Sequence, residues 1–143
     1  LVLAAGHGRA QAGYKAAGEC LESARPPRAL LAFNNLMAEA ALMAIRDRGL
    51  RCPEDVALIG FDDFRSAAAL WPALSVVEQD PQGMGARAVA ELSRLVEQGQ
   101  PTAMHVEVPT RLLVRASCAC GIQGRRHAAG SAAGCAEGRR GPG

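Results

Sequence analysis

The sequence predicts an α/β fold, a parallel sheet flanked by helices, on three observations. Short apolar runs without strict alternation recur, ALLAF at 29–33 and DVALIGF at 55–61, as in strands buried on both faces. Between such runs stand stretches whose apolar residues repeat at helical spacings of three and four. Of the 143 residues, 49% are apolar but only 3% aromatic, which suits small-residue helices packed closely on a sheet. Strands alternating with helices mean parallel pairing with helices on both faces.

The elements follow in chain order. LVLAA at 1–5 reads as the end of a strand. Residues 9–23 read as a helix with Tyr14, Ala17 and Leu21 on one face, ended by Pro26-Pro27, since proline cannot continue a helix. ALLAF is the next strand. Asn34 or Asn35 caps a helix over 36–48. Its buried stripe is Met37, Ala41, Ala44 and Ile45, its last turn carries Arg46 and Arg48, and Gly49 stops it. Residues 55–61 form a strand, 62–73 a connection through Trp71-Pro72, and LSVVE at 74–78 another strand. Asp80-Pro81 opens a helix to about residue 98 that buries Met84, Ala88, Leu92 and Leu95. Residues 105–115 are extended and broken by Pro109. The stretch 121–143 is Gly, Ala and Arg with almost no large apolar side chain, and reads as a disordered tail. The domain unit is therefore 1–120.

Charge divides along the same line. Residues 1–120 hold 12 Lys/Arg against 13 Asp/Glu, whereas 121–143 hold four Arg and one Glu. The basic excess belongs to the tail, and the folded part carries no nucleic-acid footprint. Five cysteines at irregular spacings suggest no disulfide framework and a reducing cytoplasm. Cys118-x-Cys120 lacks the spacing and the second cysteine pair of a zinc site, so no metal is expected. No run of 18 apolar residues suggests a membrane span. The opening LVLAA, already strand-like and without a charged leader, suggests that the chain starts inside a domain.

In an open parallel sheet, ligands sit beyond the carboxyl ends of the strands. Two strands end there in polar residues, ALLAF in Asn34-Asn35 and VALIGF in Asp62-Asp63. A carboxylate that accepts and an amide that both donates and accepts suit a hydroxyl-rich small molecule. Against that, Asn34 or Asn35 is explained equally by helix capping and Asp63 by a turn. Other patterns fail at positions their chemistry needs. Gly6-His7-Gly8 lacks the third glycine of a dinucleotide loop, because residue 11 is Gln11. Gly8-x₄-Gly13 is followed by Tyr14-Lys15 instead of Lys-Ser/Thr. An Mg²⁺ site at Asp62-Asp63 needs a further carboxylate and a lysine at other strand ends, and the single lysine, Lys15, lies in a helix. His7, His105 and His127 have no nucleophile at a recognisable spacing; no enzyme and no cofactor are expected.

A set of motifs resembles the C-terminal half of LacI/GalR-type bacterial transcriptional regulators. They are Asn34-Asn35-Leu36-Met37-Ala38, Gly49-Leu50-Arg51-Cys52-Pro53-Glu54-Asp55-Val56, Ile59-Gly60-Phe61-Asp62-Asp63, Pro72-Ala73-Leu74-Ser75-Val76-Val77-Glu78-Gln79 and Pro109-Thr110-Arg111-Leu112-Leu113-Val114-Arg115-Ala116-Ser117. They occur in the family's order across residues 10–118. The resemblance implies an incomplete periplasmic-binding-protein-like type I lobe, most of the C-terminal lobe with the last crossover toward the N-terminal one. It implies a sugar-like or nucleobase-like effector bound between the lobes, with Asp62, Asn34 and Gln79 as effector-binding residues. Homodimerisation would involve Glu39, Leu70 and Trp71, and operator DNA would be bound only through an absent N-terminal helix-turn-helix. Where the family carries a stacking aromatic, this sequence has Gly8; Asn35 stands for the family's usual Asp and Ala40 for its Gly. A second reading, an extracytoplasmic sugar-binding protein of a transporter, shares the fold; five cysteines and the ending LLVRAS speak against it.

Overall fold

The computed structural model describes residues 8–98 and 105–120. The expected strand at 1–5 and the expected disordered tail at 121–143 lie outside the described residues. Three helices and four strands follow in the order α1 (Ala10–Leu21), β1 (Ala29–Ala32), α2 (Asn35–Asp47), β2 (Ala57–Phe61), β3 (Ser75–Glu78), α3 (Pro81–Gln98) and β4 (Arg111–Leu113), closed by a 3-10 turn at Ala116–Cys118. The strands form one sheet in that order. β1 and β3 flank β2 in parallel, and β4 runs antiparallel beside β3. The α/β class is as expected, and the sheet is mixed because the chain returns along β4.

The core sits between the sheet and α2. Ala38, Ala41, Leu42, Ala44 and Ile45 of α2 meet Ala32, Leu58 and Val76, all buried. The register places Ala32, Gly60 and Val76 in one row, so they share a face. The bare Cα of Gly60 lets α2 approach: a Cβ there would lie 3.1 Å from the Ala38 methyl. α1 packs on α2, Gly13 lying against Met37 where a Cβ would be 3.1 Å from the Met37 backbone. Ala17 and Leu21 are buried as their spacing requires, and the half-buried Tyr14 donates to Asp47 Oδ2 at 2.8 Å. α2 ends as expected at Gly49, whose φ of +68° is left-handed. The Arg48 guanidinium donates to Ala44 O and pairs with Glu22 at 2.6 Å, tying α2 back to the end of α1.

Two expectations are corrected. Helices were expected on both sheet faces, but among the described residues α1 and α2 share one face. On the other, Leu31 and Phe33 stay 55% and 65% exposed, and the buried cover comes from the 3-10 turn over Ser75. α3 was expected to bury Met84, Ala88, Leu92 and Leu95. It begins as foreseen, Asp80 Oδ1 accepting from Gly83 N–H at 2.9 Å. Yet Met84, Ala88 and Leu92 are exposed, Leu92 at 63%, and Leu95 is only half-buried. The helical period is genuine, but period reports amphipathicity and not which surface covers the stripe. No helix among the described residues is long and apolar enough to cross a membrane.

Candidate functional site

Because β1, β2 and β3 are parallel, their carboxyl ends point to one edge of the sheet. Asn34 stands two residues past the end of β1, Asp62 one past β2 and Gln79 one past β3. All three expected effector-binding residues therefore gather at a single edge. Asp62 and Gln79 touch: Gln79 Nε2 donates to Asp62 Oδ1.

Asp62 adopts φ +69°. A left-handed residue other than Gly is uncommon, though Asp tolerates the region better than most. The conformation is fixed from β3, since Asp62 N–H donates to Val77 O at 2.9 Å. It ends the β2 ladder, leaving the carboxylate at the sheet edge beside Gln79. Strain of this kind costs on the order of 1 kcal/mol and persists where surrounding contacts over-determine it.

Asn34 does two things at once. Its Oδ1 accepts from Met37 N–H at 2.8 Å, the N-cap of α2, and its Nδ2 donates to Gly8 O at 3.2 Å. The capping explanation and the edge position are thus both true of the same residue. Gly8, where the resemblance places an aromatic ring, has φ +67°, and a Cβ on it would approach Asn34 Nδ2 to 3.3 Å. The backbone carbonyl of Gly8 reaches the amide in the space a side chain would need.

The two acids of Asp62-Asp63 have separate roles. Asp63, expected to organise the following loop, takes both ends of the Arg115 guanidinium at 2.9 Å each, and Arg115 Nη1 also donates to Leu74 O. The side-chain hydrogen bonds from Arg115 hold the Asp63 carboxyl below its ordinary range. Sequence patterning gave Arg115 no role; its partner lies 52 positions away, and no local signal marks such a pair. The neighbouring polar lock was also unmarked. Ser117 Oγ accepts from Ser75 N–H at 2.8 Å and donates to Leu58 O at 2.6 Å, both serines being fully buried.

Of the expected interface residues, Leu70 and Trp71 lie toward the opposite edge, whereas Glu39 sits about one turn into α2 from Asn34. Trp71 is 85% exposed, whereas Leu70 is half-buried against the core. Glu39 accepts a long hydrogen bond from Ser66, 3.4 Å, which ties the 62–73 connection to α2. A groove of about 570 Å³, lined by Leu42, Arg46, Trp71 and Pro72 among others, opens at the amino edge of the sheet. It is the wrong end for the strand-end residues. At the carboxyl edge, Gln79 joins Glu78, Asp80, Pro109 and Arg111 around a depression of about 290 Å³. The polar strand ends converge at the carboxyl edge. Among the described residues no cluster of His, Cys, Asp and Glu could hold a metal ion.

Comparison with known proteins decides the family. The model of the periplasmic binding protein-like domain matches residues 2–118. The chain belongs to that family. The repressor PurR of Escherichia coli O1:K1 is 34% identical over 111 residues, covering 78% of this chain and 33% of the repressor. The structure of the regulator CelR with cellobiose superposes with a TM-score of 0.71 at 32% identity, covering 77% of this chain and 34% of CelR. A LacI family regulator from Arthrobacter sp. FB24, complexed with lactose, gives 0.65 at 33% identity over 77% of this chain and 41% of that one. The lac repressor dimer bound to operator gives 0.69 at 29%, covering 77% and 38%. The resemblance to the effector domains of LacI-type regulators is thereby borne out. This chain spans about a third of the length of the curated relatives it matches.

Proposed function

We propose that this chain is the effector-sensing part of a LacI-type transcriptional regulator, the C-terminal lobe lying within residues 1–120. The observation that carries the reading is the convergence of Asn34, Asp62 and Gln79 at the carboxyl ends of three adjacent parallel strands, with Asp62 held left-handed beside Gln79. Asp62 Oδ2 and Gln79 Oε1 remain to accept, and the second N–H of Asn34 Nδ2 remains to donate. Alternating acceptors and donors match vicinal hydroxyls, each of which does both. The effector is therefore a sugar or polyol, in keeping with the cellobiose and lactose carried by two similar regulators. Without a ring at Gly8, recognition rests on hydrogen bonds and not on stacking.

A single lobe offers an edge; a second lobe closing over it makes a cleft, and effector binding biases the two lobe arrangements. We assign a homodimer to the face that carries Trp71, Leu70 and Glu39. Operator binding belongs to the part of the regulator that this chain does not span, and the site of action is the cytoplasm. A thermal-shift screen of the full regulator against sugars, polyols and nucleobases tests the reading. A sugar or polyol should raise Tm, and Asp62→Ala should cut the affinity at least about tenfold, the loss of one charge-assisted hydrogen bond. An unchanged shift in Asp62→Ala removes Asp62 from the site.

A further inference from the structure

The polar strand ends do not stop at Gln79. In the sheet register Phe61 pairs with Val77 and Val77 with Leu112, and one step toward the carboxyl edge Glu78 pairs with Arg111. Asp62 follows Phe61, and its N–H reaches Val77 O. Asp62, Glu78 and Arg111 therefore form one row across β2, β3 and β4. Asn34 extends the rim to β1 on the other side. Neighbouring strands are roughly 4.8 Å apart, so the rim from β1 to β4 is about 14 Å wide. A ring bonded to Asn34 and Asp62 is centred over β1 and β2 and leaves the β4 end of the rim uncovered.

That end carries hydrogen-bonding capacity the fold does not use. Arg111 donates to Glu78 through Nε at 3.2 Å and Nη2 at 2.9 Å, both to the one oxygen Oε2. Among the described residues, Arg111 Nη1 and Glu78 Oε1 have no partner. A guanidinium holds its five N–H donors in a rigid fork, so the bond to Glu78 also fixes where Nη1 points. The two side chains are 73% and 37% exposed, and a ligand reaches both. With Gln79, Asp80 and Pro109 they line the depression of about 290 Å³. Gln79 belongs to both places, since it lines the depression and donates to Asp62 Oδ1.

The pair selects the chemistry of its ligand. Glu78 and Arg111 cancel in charge. An anion at Arg111 would meet the Glu78 carboxylate, with Asp80 adding to the repulsion, and a cation at Glu78 would meet the guanidinium. A neutral hydroxyl meets no such opposition, because it accepts from Nη1 or donates to Oε1. We infer, resting on the effector reading above, that the depression is a second sugar subsite and that the effector is a disaccharide. One ring is held by Asn34, Asp62 and Gln79, and the other by Arg111 and Glu78. Arg111 is then the residue that separates disaccharides from single rings, because it contacts only the second ring.

Titration calorimetry on the full regulator tests this, with cellobiose, lactose and maltose as probes beside methyl glucoside and methyl galactoside. At least one disaccharide should bind at least about tenfold more tightly than its component rings, the gain from hydrogen bonds to a charged group. Arg111→Ala should remove most of that margin by weakening the disaccharide alone. Arg111→Lys keeps the charge without the fork and should recover only part of it. Asp62→Ala should weaken rings and disaccharides alike. No binding by any of these sugars overturns the effector reading and the second subsite together. If Asp62→Ala weakens binding but Arg111→Ala weakens rings and disaccharides equally, or neither, the effector reading stands and the second subsite is overturned. A single ring that binds as tightly as every disaccharide overturns it as well.

Discussion

Asp62 and Asp63 are adjacent in sequence and opposite in role, and the difference follows from backbone geometry. The left-handed turn at Asp62 breaks the alternation of the strand, so its carboxylate stays at the edge with Gln79 while the next one turns to Arg115. The Asp63–Arg115 pair is two-pronged and only partly exposed, with side-chain exposures of 26% and 20%. It is therefore a better stabiliser than a surface pair. Its pH dependence has a definite sign. Arg115 lowers the folded-state pKa of Asp63, so the folded state binds fewer protons than the unfolded one around that pKa. The stabilisation is complete above the unfolded value of about 4 and is lost as pH falls through the lower folded value. Urea unfolding from pH 6 downward should show a steeper acid loss in the native chain than in Asp63→Asn. That variant should be less stable at pH 6 by about 1 kcal/mol and should converge on the native chain in acid. A constant gap between the two at every pH would remove Asp63 from the ion pair.

At the scale of the elements, much was legible in local sequence. α1, α2 and β2 announce themselves by apolar period, by Asn34 as a cap and by Gly49 as a stop, and the structure places each within a few residues of its expected bounds. The strand-end logic located Asn34 and Asp62 because parallel pairing sends every carboxyl end to one edge. What was illegible depends on contacts distant in sequence. The antiparallel return of β4 depends on Ser117, 59 positions from its partner Leu58 and 42 from Ser75. A serine near the end of an extended stretch carries no sign that it will be fully buried. The same gap explains α3, whose amphipathic period is readable while the surface it covers is not. The lock on β4 is testable. Ser117→Ala leaves the Ser75 N–H and the Leu58 carbonyl without that partner in a site closed to water. Unsatisfied buried groups cost about 1–3 kcal/mol each, so the variant should lose about 2–4 kcal/mol in urea unfolding. A loss under about 0.5 kcal/mol would mean that the hydroxyl is not what closes the sheet.

On the scale of the whole molecule, apolar surface remains on three sides: Leu31 and Phe33 on the open sheet face, the stripe of α3, and Trp71 beside α2. Monomeric domains seldom leave this much apolar area in water. The chain spans about a third of the length of its curated relatives. Trp71 differs from the other two sides. It sits at the amino edge, beside the groove that Leu42, Arg46 and Pro72 line, and α2 adds the exposed Met43. A large, rigid, exposed ring beside a groove bordered by arginine has the composition of an interface anchor. If the homodimer forms there, Trp71→Arg should raise the dimer dissociation constant at least about thirtyfold, the effect of losing roughly 2 kcal/mol at a central aromatic residue. Sedimentation equilibrium on the 143-residue chain reads this directly, and Leu92→Glu on α3 is the control. Dimers that survive Trp71→Arg but dissociate in Leu92→Glu would assign the association to the α3 stripe and remove Trp71 from the interface.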